Sequence, residues 1–247
     1  MADVQFSVVI PVKDEGANIR ALLDEIRGAV APPLTSAYEV LVVDDGSTDN
    51  TLEVLRTLKR ELAADTLPLV IVRNPHNLGQ STSLLMGARQ ARFPWIVTLD
   101  GDGQNDPADI PKLLARAAAD PTVALVAGQR TKRRDSFNKR IASRIANRIR
   151  GTLLRDGTPD TGCGLKLIRR DVLLALPYFN HMHRYLPALV RRHRGRVELV
   201  GVNHRHRTEG HSKYGTLDRL WVGIWDLLGV MWLMRRNRLP EQAPTVE

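Results

Sequence analysis

Residues 99–104 read LDGDGQ: two carboxylates two positions apart, set between glycines directly after the apolar run WIVTL. Glycine weakens strands and aspartate is depleted in them, so the run stops here and leaves Asp100 and Asp102 aimed at one place. Paired carboxylates suit a hard divalent cation, which takes oxygen ligands and completes its shell with substrate phosphates. Gln104 stands near enough to add an amide oxygen. On this reading Asp100, Asp102 and Gln104 anchor Mg2+ or Mn2+. A D-x-D pair recurs by chance in many chains; its place after a buried strand gives it weight.

Three more polar turns follow apolar runs. PVKDEG ends the first, DDGSTD the second and GQR a later one. Turns favour Asp and Gly for structural reasons too, so a plain loop competes for each of them. Four converging on one edge make a site.

The elements that would bring them together alternate along the chain. Near-continuous apolar runs at 6–12, 38–44, 67–72, 95–99 and 123–128 predict strands buried on both faces. Helical composition at about 16–30, 49–64, 78–92 and 107–119 fills the gaps, with Asp49 suited to an N-cap and Pro107 to a first turn. Strands alternating with helices imply an α/β fold, a doubly wound and mostly parallel sheet. Ligands on such sheets bind beyond the carboxyl ends of the strands. Neither GxGxxG nor GxxxxGK[ST] occurs, which speaks against a dinucleotide enzyme or a P-loop ATPase.

At 247 residues, 43% hydrophobic, the chain suits one α/β domain or a domain with an appendage. A single cysteine, Cys163, rules out an intramolecular disulfide and fits a reducing compartment. The start MADVQFSVVIPV lacks a basic n-region and a cleavage site, so no signal peptide is expected. The expected location is the cytoplasm or the cytoplasmic face of a membrane. The net charge of +9 is local: residues 129–155 contribute +9 and 184–213 contribute +6, leaving −6 for the rest. Such windows point to an anionic partner, whether phosphate, nucleic acid or lipid head groups; a solvated surface is the bland alternative.

VVIPVKDE, VVDDGSTDNT, NLGQSTSLLMGARQA and VTLDGDGQNDPADIPKL together resemble the ordered motifs of inverting family 2 glycosyltransferases of GT-A fold. Within that family they most resemble the dolichol- and polyprenyl-phosphate glycosyltransferases. The likeness covers about residues 5–215. It implies transfer of a sugar, mannose or a related hexose, from a nucleotide-diphosphate donor to a polyprenyl or dolichyl phosphate with a divalent metal. It also implies that Pro11, Asp14 and Glu15 line the nucleotide pocket and that Asp45 contacts base or ribose. Asp100, Asp102 and Gln104 would hold metal and sugar phosphate, and Arg130 would bind phosphate. Asp14 departs from the family's usual Asn. RTEGHSKYG resembles the family's R-x-x-G-x-S-K segment and places Arg207 and Lys213 around the diphosphate. There, pre-placed cations would stabilise charge growing on the leaving group. Asp160, Lys166, His183 and Arg184 fall in segments that face the site in relatives. A phosphate acceptor is already anionic, so orientation and electrostatics suffice and no catalytic histidine is required.

FNKRIASRIANRIRG sets Phe137, Ile141, Ile145 and Ile149 on one helical stripe beside Arg140, Arg144 and Arg148. This suits a helix in a membrane interface, a core-packed helix being the alternative. The resemblance makes Arg133, Arg134 and Arg144 acceptor-phosphate contacts. In LWVGIWDLLGVMWLM (220–234), Trp221, Trp225 and Trp232 share a face between flanking arginines, too short a run to span a bilayer. Interfacial anchoring, core packing and contact with a second subunit or membrane protein are all open for it. The expected organisation is a catalytic domain at 1–215, an amphipathic helix at 216–238 and a disordered tail at 239–247. Two other functions compete: a family 2 enzyme acting on a glycan or other hydroxyl, and a basic nucleic-acid-binding protein. The second is disfavoured by an aromatic content of 5%.

Overall fold

The computed structural model describes residues 4–30, 37–62, 67–131, 150–205 and 216–236, with the side chains of 216–221 excepted. The strands are β1 (Phe6–Val12), β2 (Tyr38–Asp44), β3 (Leu69–Arg73), β4 (Trp95–Thr98), β5 (Val123–Arg130), β6 (Lys166–Arg169) and β7 (Arg196–Val202). They form one sheet in the order β3-β2-β1-β4-β6-β5-β7. β6 runs antiparallel to both neighbours, while β1 with β2 and β4, β2 with β3, and β5 with β7 are parallel. The predicted first two strands match to the residue. The 67–72 run begins two residues later, β6 falls in DTGCGLKLIRRDVL, which resembles a family strand, and β7 is additional.

The sheet is apolar on both faces because alternate side chains enter two different cores. Val8, Ile10, Val40 and Val42 join one cluster. It is completed by helices α1 (Ile19–Ala29), α2 (Thr51–Leu62) and α4 (Ile110–Ala118). Val9, Leu41 and Val43 join the other, with α3 (Gln80–Gln90), the helix Leu186–Arg192 and the last helix, Thr216–Arg235. The predicted 107–119 helix divides into a 3-10 turn, Pro107–Asp109, followed by α4, and Asp106 caps it by accepting from the Ala108 N–H. Asp49 lies two residues before α2 and accepts from the Thr51 N–H at 3.0 Å.

The antiparallel insertion matters for the site. The carboxyl ends of the parallel strands gather on one edge, and β6 presents its first residue, Lys166, to that same edge, in register with Thr98 of β4. The C-terminal helix lies against the second core through Leu227, Val230, Met231, Leu233 and Met234. Val222, Ile224, Trp225, Leu228 and Trp232 are exposed.

Candidate active site

The first two strand ends interlock. Asp14, in left-handed backbone at φ 53°, accepts from the Thr48 N–H at 2.7 Å while its own N–H donates to Ser47 Oγ at 3.0 Å. Lys13 Nζ reaches Asp14 at 3.2 Å and the Gly46 carbonyl at 3.2 Å. Glu15 N–H donates to Thr51 Oγ1 at 2.9 Å, and the Glu15 carboxylate takes the Asn18 amide at 2.7 Å. The Pro11–Glu15 stretch is thus held against the 44–51 turn. Gly46, at φ +67°, is required there, since a Cβ would stand 2.6 Å from the His76 backbone.

Asp45 is buried, and its carboxylate is enclosed by the next loop. It accepts from Asn74 Nδ2, the Leu78 N–H and the Gly79 N–H, each at 2.8 Å. This clasp sets the entry to α3, whose first residue, Gln80, reaches across to the acidic turn. Gln80 Nε2 donates to Asp100 Oδ1 at 2.7 Å.

Asp100 also has its N–H bound to Asn105 Oδ1 at 3.2 Å, and Asp102 Oδ1 accepts from the Gln104 N–H at 3.1 Å. Gly164 approaches closely from the far side: a Cβ there would lie 2.2 Å from Asp100 Oδ2. Burial, reinforced by the charge of Asp102, pushes the Asp100 carboxyl up to about 6, against the pull of Lys166 and Gln80. Two neighbouring carboxylates, of which Asp100 is made costly to charge by its burial and by the other, are an oxygen pair that fits a divalent cation. Among the described residues no group of three or more His, Cys, Asp or Glu side chains converges as a metal cluster. Substrate oxygens would have to complete the shell.

Cations and an imidazole stand around this turn. Lys166 is buried, donates to the Cys163 carbonyl, and is held below its usual basicity by burial. Arg130, at the end of β5, forms a bidentate fork with Asp160, both bonds at 2.6 Å, so its guanidinium is oriented by that pair. His183 shares a bond with Ser81 Oγ at 2.7 Å and lines one cavity with Pro11, Gln80, Asp100 and Lys166. Burial, then the charges of Arg184 and Lys166, hold His183 well below the usual histidine range, so it is neutral at neutral pH.

The structure therefore gathers Asp100, Asp102, Gln104, Pro11 and Arg130 with Lys166 and His183 at one edge, and places Asp14, Glu15 and Asp45 in the adjoining loops after β1 and β2. Arg133, Arg134, Arg144, Arg207 and Lys213 lie outside the described residues, as does the 137–149 stripe. The approach to Arg207 is visible: Arg205 N–H donates to the Gln104 carbonyl at 2.9 Å, tying the start of that segment to the acidic turn. Gln80, Gly164 and Ser81 carry no role in the sequence reading. Their only signal was membership of the NLGQSTS and DTGCGLK motifs.

Residues 7–176 match the model of the family described as glycosyl transferase family 2. The chain belongs to this family. The transferase is 33% identical over 239 residues to dodecaprenyl-phosphate galacturonate synthase of Rhizobium johnstonii, covering 96% of this chain and 69% of that protein. It is 33% identical over 222 residues to undecaprenyl-phosphate 4-deoxy-4-formamido-L-arabinose transferase of Yersinia pestis, covering 90% of this chain and 66% of that one. The chain thus spans about two thirds of the length of these curated relatives. Its fold matches glucosyl-3-phosphoglycerate synthase from Mycobacterium tuberculosis, crystallised with Mn2+, UDP and glucosyl-3-phosphoglycerate, at a TM-score of 0.70 and 19% identity over 97% of this chain and 82% of that one. The transferase therefore has the GT-A fold.

Proposed function

We propose that this transferase moves a sugar from a nucleotide-diphosphate donor to a polyprenyl phosphate, with inversion at the sugar carbon. The observation that carries this reading is the acidic turn at the end of β4, with Gln80, Lys166 and His183 packed around it and the Arg205 N–H bound to the Gln104 carbonyl of the same turn. Two relatives whose names specify polyprenyl-phosphate acceptors support the acceptor class. Their sugars are galacturonate and a formamido-arabinose, so mannose has no support from them. A uronic acid or an amino-arabinose derivative becomes the first donor to try.

In this reading Asp100, Asp102 and Gln104 hold Mg2+ or Mn2+. When bound, the cation neutralises charge on the donor diphosphate. Asp14, Glu15 and Pro11 border the nucleotide. Asp45, whose carboxylate is taken up by three N–H donors, acts by holding the 74–79 loop around it. Arg207 and Lys213 stabilise the charge that develops on the departing nucleotide diphosphate. Arg130, fixed by Asp160, adds a positive field near the same phosphates, and Arg133, Arg134 and Arg144 receive the acceptor. The acceptor phosphate attacks as an anion already formed at neutral pH, so the neutral imidazole of His183 is not needed as a base.

Contact with the bilayer is peripheral in this reading. Among the described residues no helix is long and apolar enough to cross a membrane. Trp225, Leu228 and Trp232 follow i, i+3, i+7 spacing, are 69%, 49% and 59% exposed, and are followed by the exposed Arg235 and Arg236. An apolar stripe with tryptophans beside arginines suits the cytoplasmic lipid interface.

The test is incubation with a panel of UDP-sugars and GDP-mannose, polyprenyl phosphate and Mg2+ or Mn2+, followed by mass spectrometry of the lipid. Formation of a sugar-phosphate lipid is expected, lost in excess chelator and reduced about a hundredfold in Arg207→Ala. Transfer undiminished by chelation would overturn the metal assignment, and transfer only to a glycan hydroxyl would overturn the acceptor.

A further inference from the structure

The turn Met182–Arg184 lies between the catalytic pocket and the C-terminal helix, and its neighbouring residues divide between the two. His183 faces the pocket, with Nδ1 at 2.7 Å from Ser81 Oγ and its ring beside Gln80, Asp100 and Lys166. The residues two before and two after it grip the helix. His181 Nδ1 meets Asp226 Oδ2 at 3.1 Å, and the Tyr185 hydroxyl donates to the Gly223 carbonyl at 3.3 Å. Gly223 and Asp226 are three residues apart, so a single turn of the helix takes both flanks of His183.

Two features show that this grip is built in. Asp226 is the sole charged residue in the run 220–234. A carboxylate in an apolar stretch is costly to bury without a partner, and here His181 supplies one. His181 itself sits in left-handed backbone at φ 66°, which a non-glycine residue keeps only where its surroundings hold it. Burial, with the charge of Asp226 nearby, pushes the Tyr185 hydroxyl up to about 12, placing both contacts in one local environment.

We propose that the C-terminal helix is a positioning element of the catalytic pocket: through Asp226–His181 and Gly223–Tyr185 it holds the 181–185 turn so that His183 stands against Ser81 at the donor sugar. The inference rests on the transferase reading for the substrate that His183 meets, but not for the mechanical link. Asp226, His181 and Tyr185 are positioning residues, acting through His183. Whatever engages the outer face of the helix then acts on the pocket through these two contacts.

The test uses the full chain with 15N-labelled histidine. His183 ring signals are assigned by their loss in His183→Ala. Asp226→Ala is expected to move them as far as Ser81→Ala does. Asp226→Asn, which keeps an acceptor oxygen for His181, should leave them near wild type. In the transfer assay Asp226→Ala should lower kcat about tenfold and Asp226→Asn less than about threefold. Asp226→Ala should add nothing in the His183→Ala background, because both changes remove one linked interaction. Unmoved His183 signals in Asp226→Ala, or additive losses in the double variant, would overturn the proposal. Should Asp226→Ala fail to fold, Tyr185→Phe removes only the hydroxyl and is expected to move the same signals; unmoved signals there also overturn it. A wild type that transfers no sugar sinks the functional reading alone, since the spectra still decide the link.

Discussion

Asp45 and Asp100 both follow buried parallel strands, yet the two turns treat a carboxylate in opposite ways. Asp45 is met by three N–H donors, each at 2.8 Å, from the loop it organises. Among the described residues Asp100 has one side-chain donor, Gln80, and burial, with the charge of Asp102 beside it, pushes its carboxyl up to about 6. The Asp45 carboxylate has its oxygens taken up by donors, whereas Asp100, buried and flanked by another acid, has had its charge made costly. The first turn is a clasp and the second, in the proposed reading, a receptacle for positive charge. Sites bought with strain of this kind are where stability and activity part company.

That contrast can be broken by substitution. The largest effect is expected from Asp102→Asn, which should cut sugar transfer at least a hundredfold, on the order of the several kcal/mol a metal-anchoring group supplies, with little change in melting temperature. An equally active Asp102→Asn would remove the receptacle from the comparison. Next is Gly164→Ala: a Cβ 2.2 Å from Asp100 Oδ2 must displace that carboxylate, and a roughly tenfold or greater loss of transfer is expected, read by steady-state kinetics. Asp45→Ala should behave in the opposite sense. Leaving three donors without their acceptor is expected to cost about 2–4 kcal/mol, seen by calorimetry as a fall of about 10 °C in Tm. Should Asp45→Ala instead melt like wild type, the clasp is not one.

The smallest effect is a pH dependence of the metal-free protein. Its Asp100 carboxyl titrates near 6 when folded against 3.8 in the reference state, so ionisation costs the fold. The stability associated with the neutral form is present in full below about 3.8 and is lost as pH rises through about 6, by no more than about 3 kcal/mol. Urea unfolding in chelator between pH 4 and 7.5 should show this decline, and Asp100→Asn should flatten it. Added Mn2+ at pH 7.5 should recover part of the loss in wild type only.

Much of the first half of the site was legible because its signals are local. β1 and β2 are apolar runs ended by acidic turns, and a run of Val and Ile followed by Asp and Gly reads the same in any context that buries a strand. The DGDGQ turn could be read as a candidate cation site from its paired acids together with its place after a buried strand. Only resemblance pointed to a strand at β6, because four residues, KLIR, carry too little periodicity to announce one, and their direction depends on which neighbours they join. The C-terminal tryptophans were readable as a stripe, but the composition could not say which face of the helix meets the protein.

The chain order of apolar runs and turn residues determined by itself an α/β fold with paired acids after its fourth strand, and the motifs at those strand ends carried the resemblance to family 2 glycosyltransferases. These depend on period and on side-chain chemistry within a few residues. Tertiary structure alone decided that Gln80 binds Asp100 across 20 positions, that Ser81 holds His183 across 102, and that Asp226 meets His181 across 45. It also decided that Asp45 is a clasp. Each of these is a partnership set by sheet order, by the antiparallel entry of β6 and by helix docking, which follow from burying two apolar faces at once and leave no mark in local spacing.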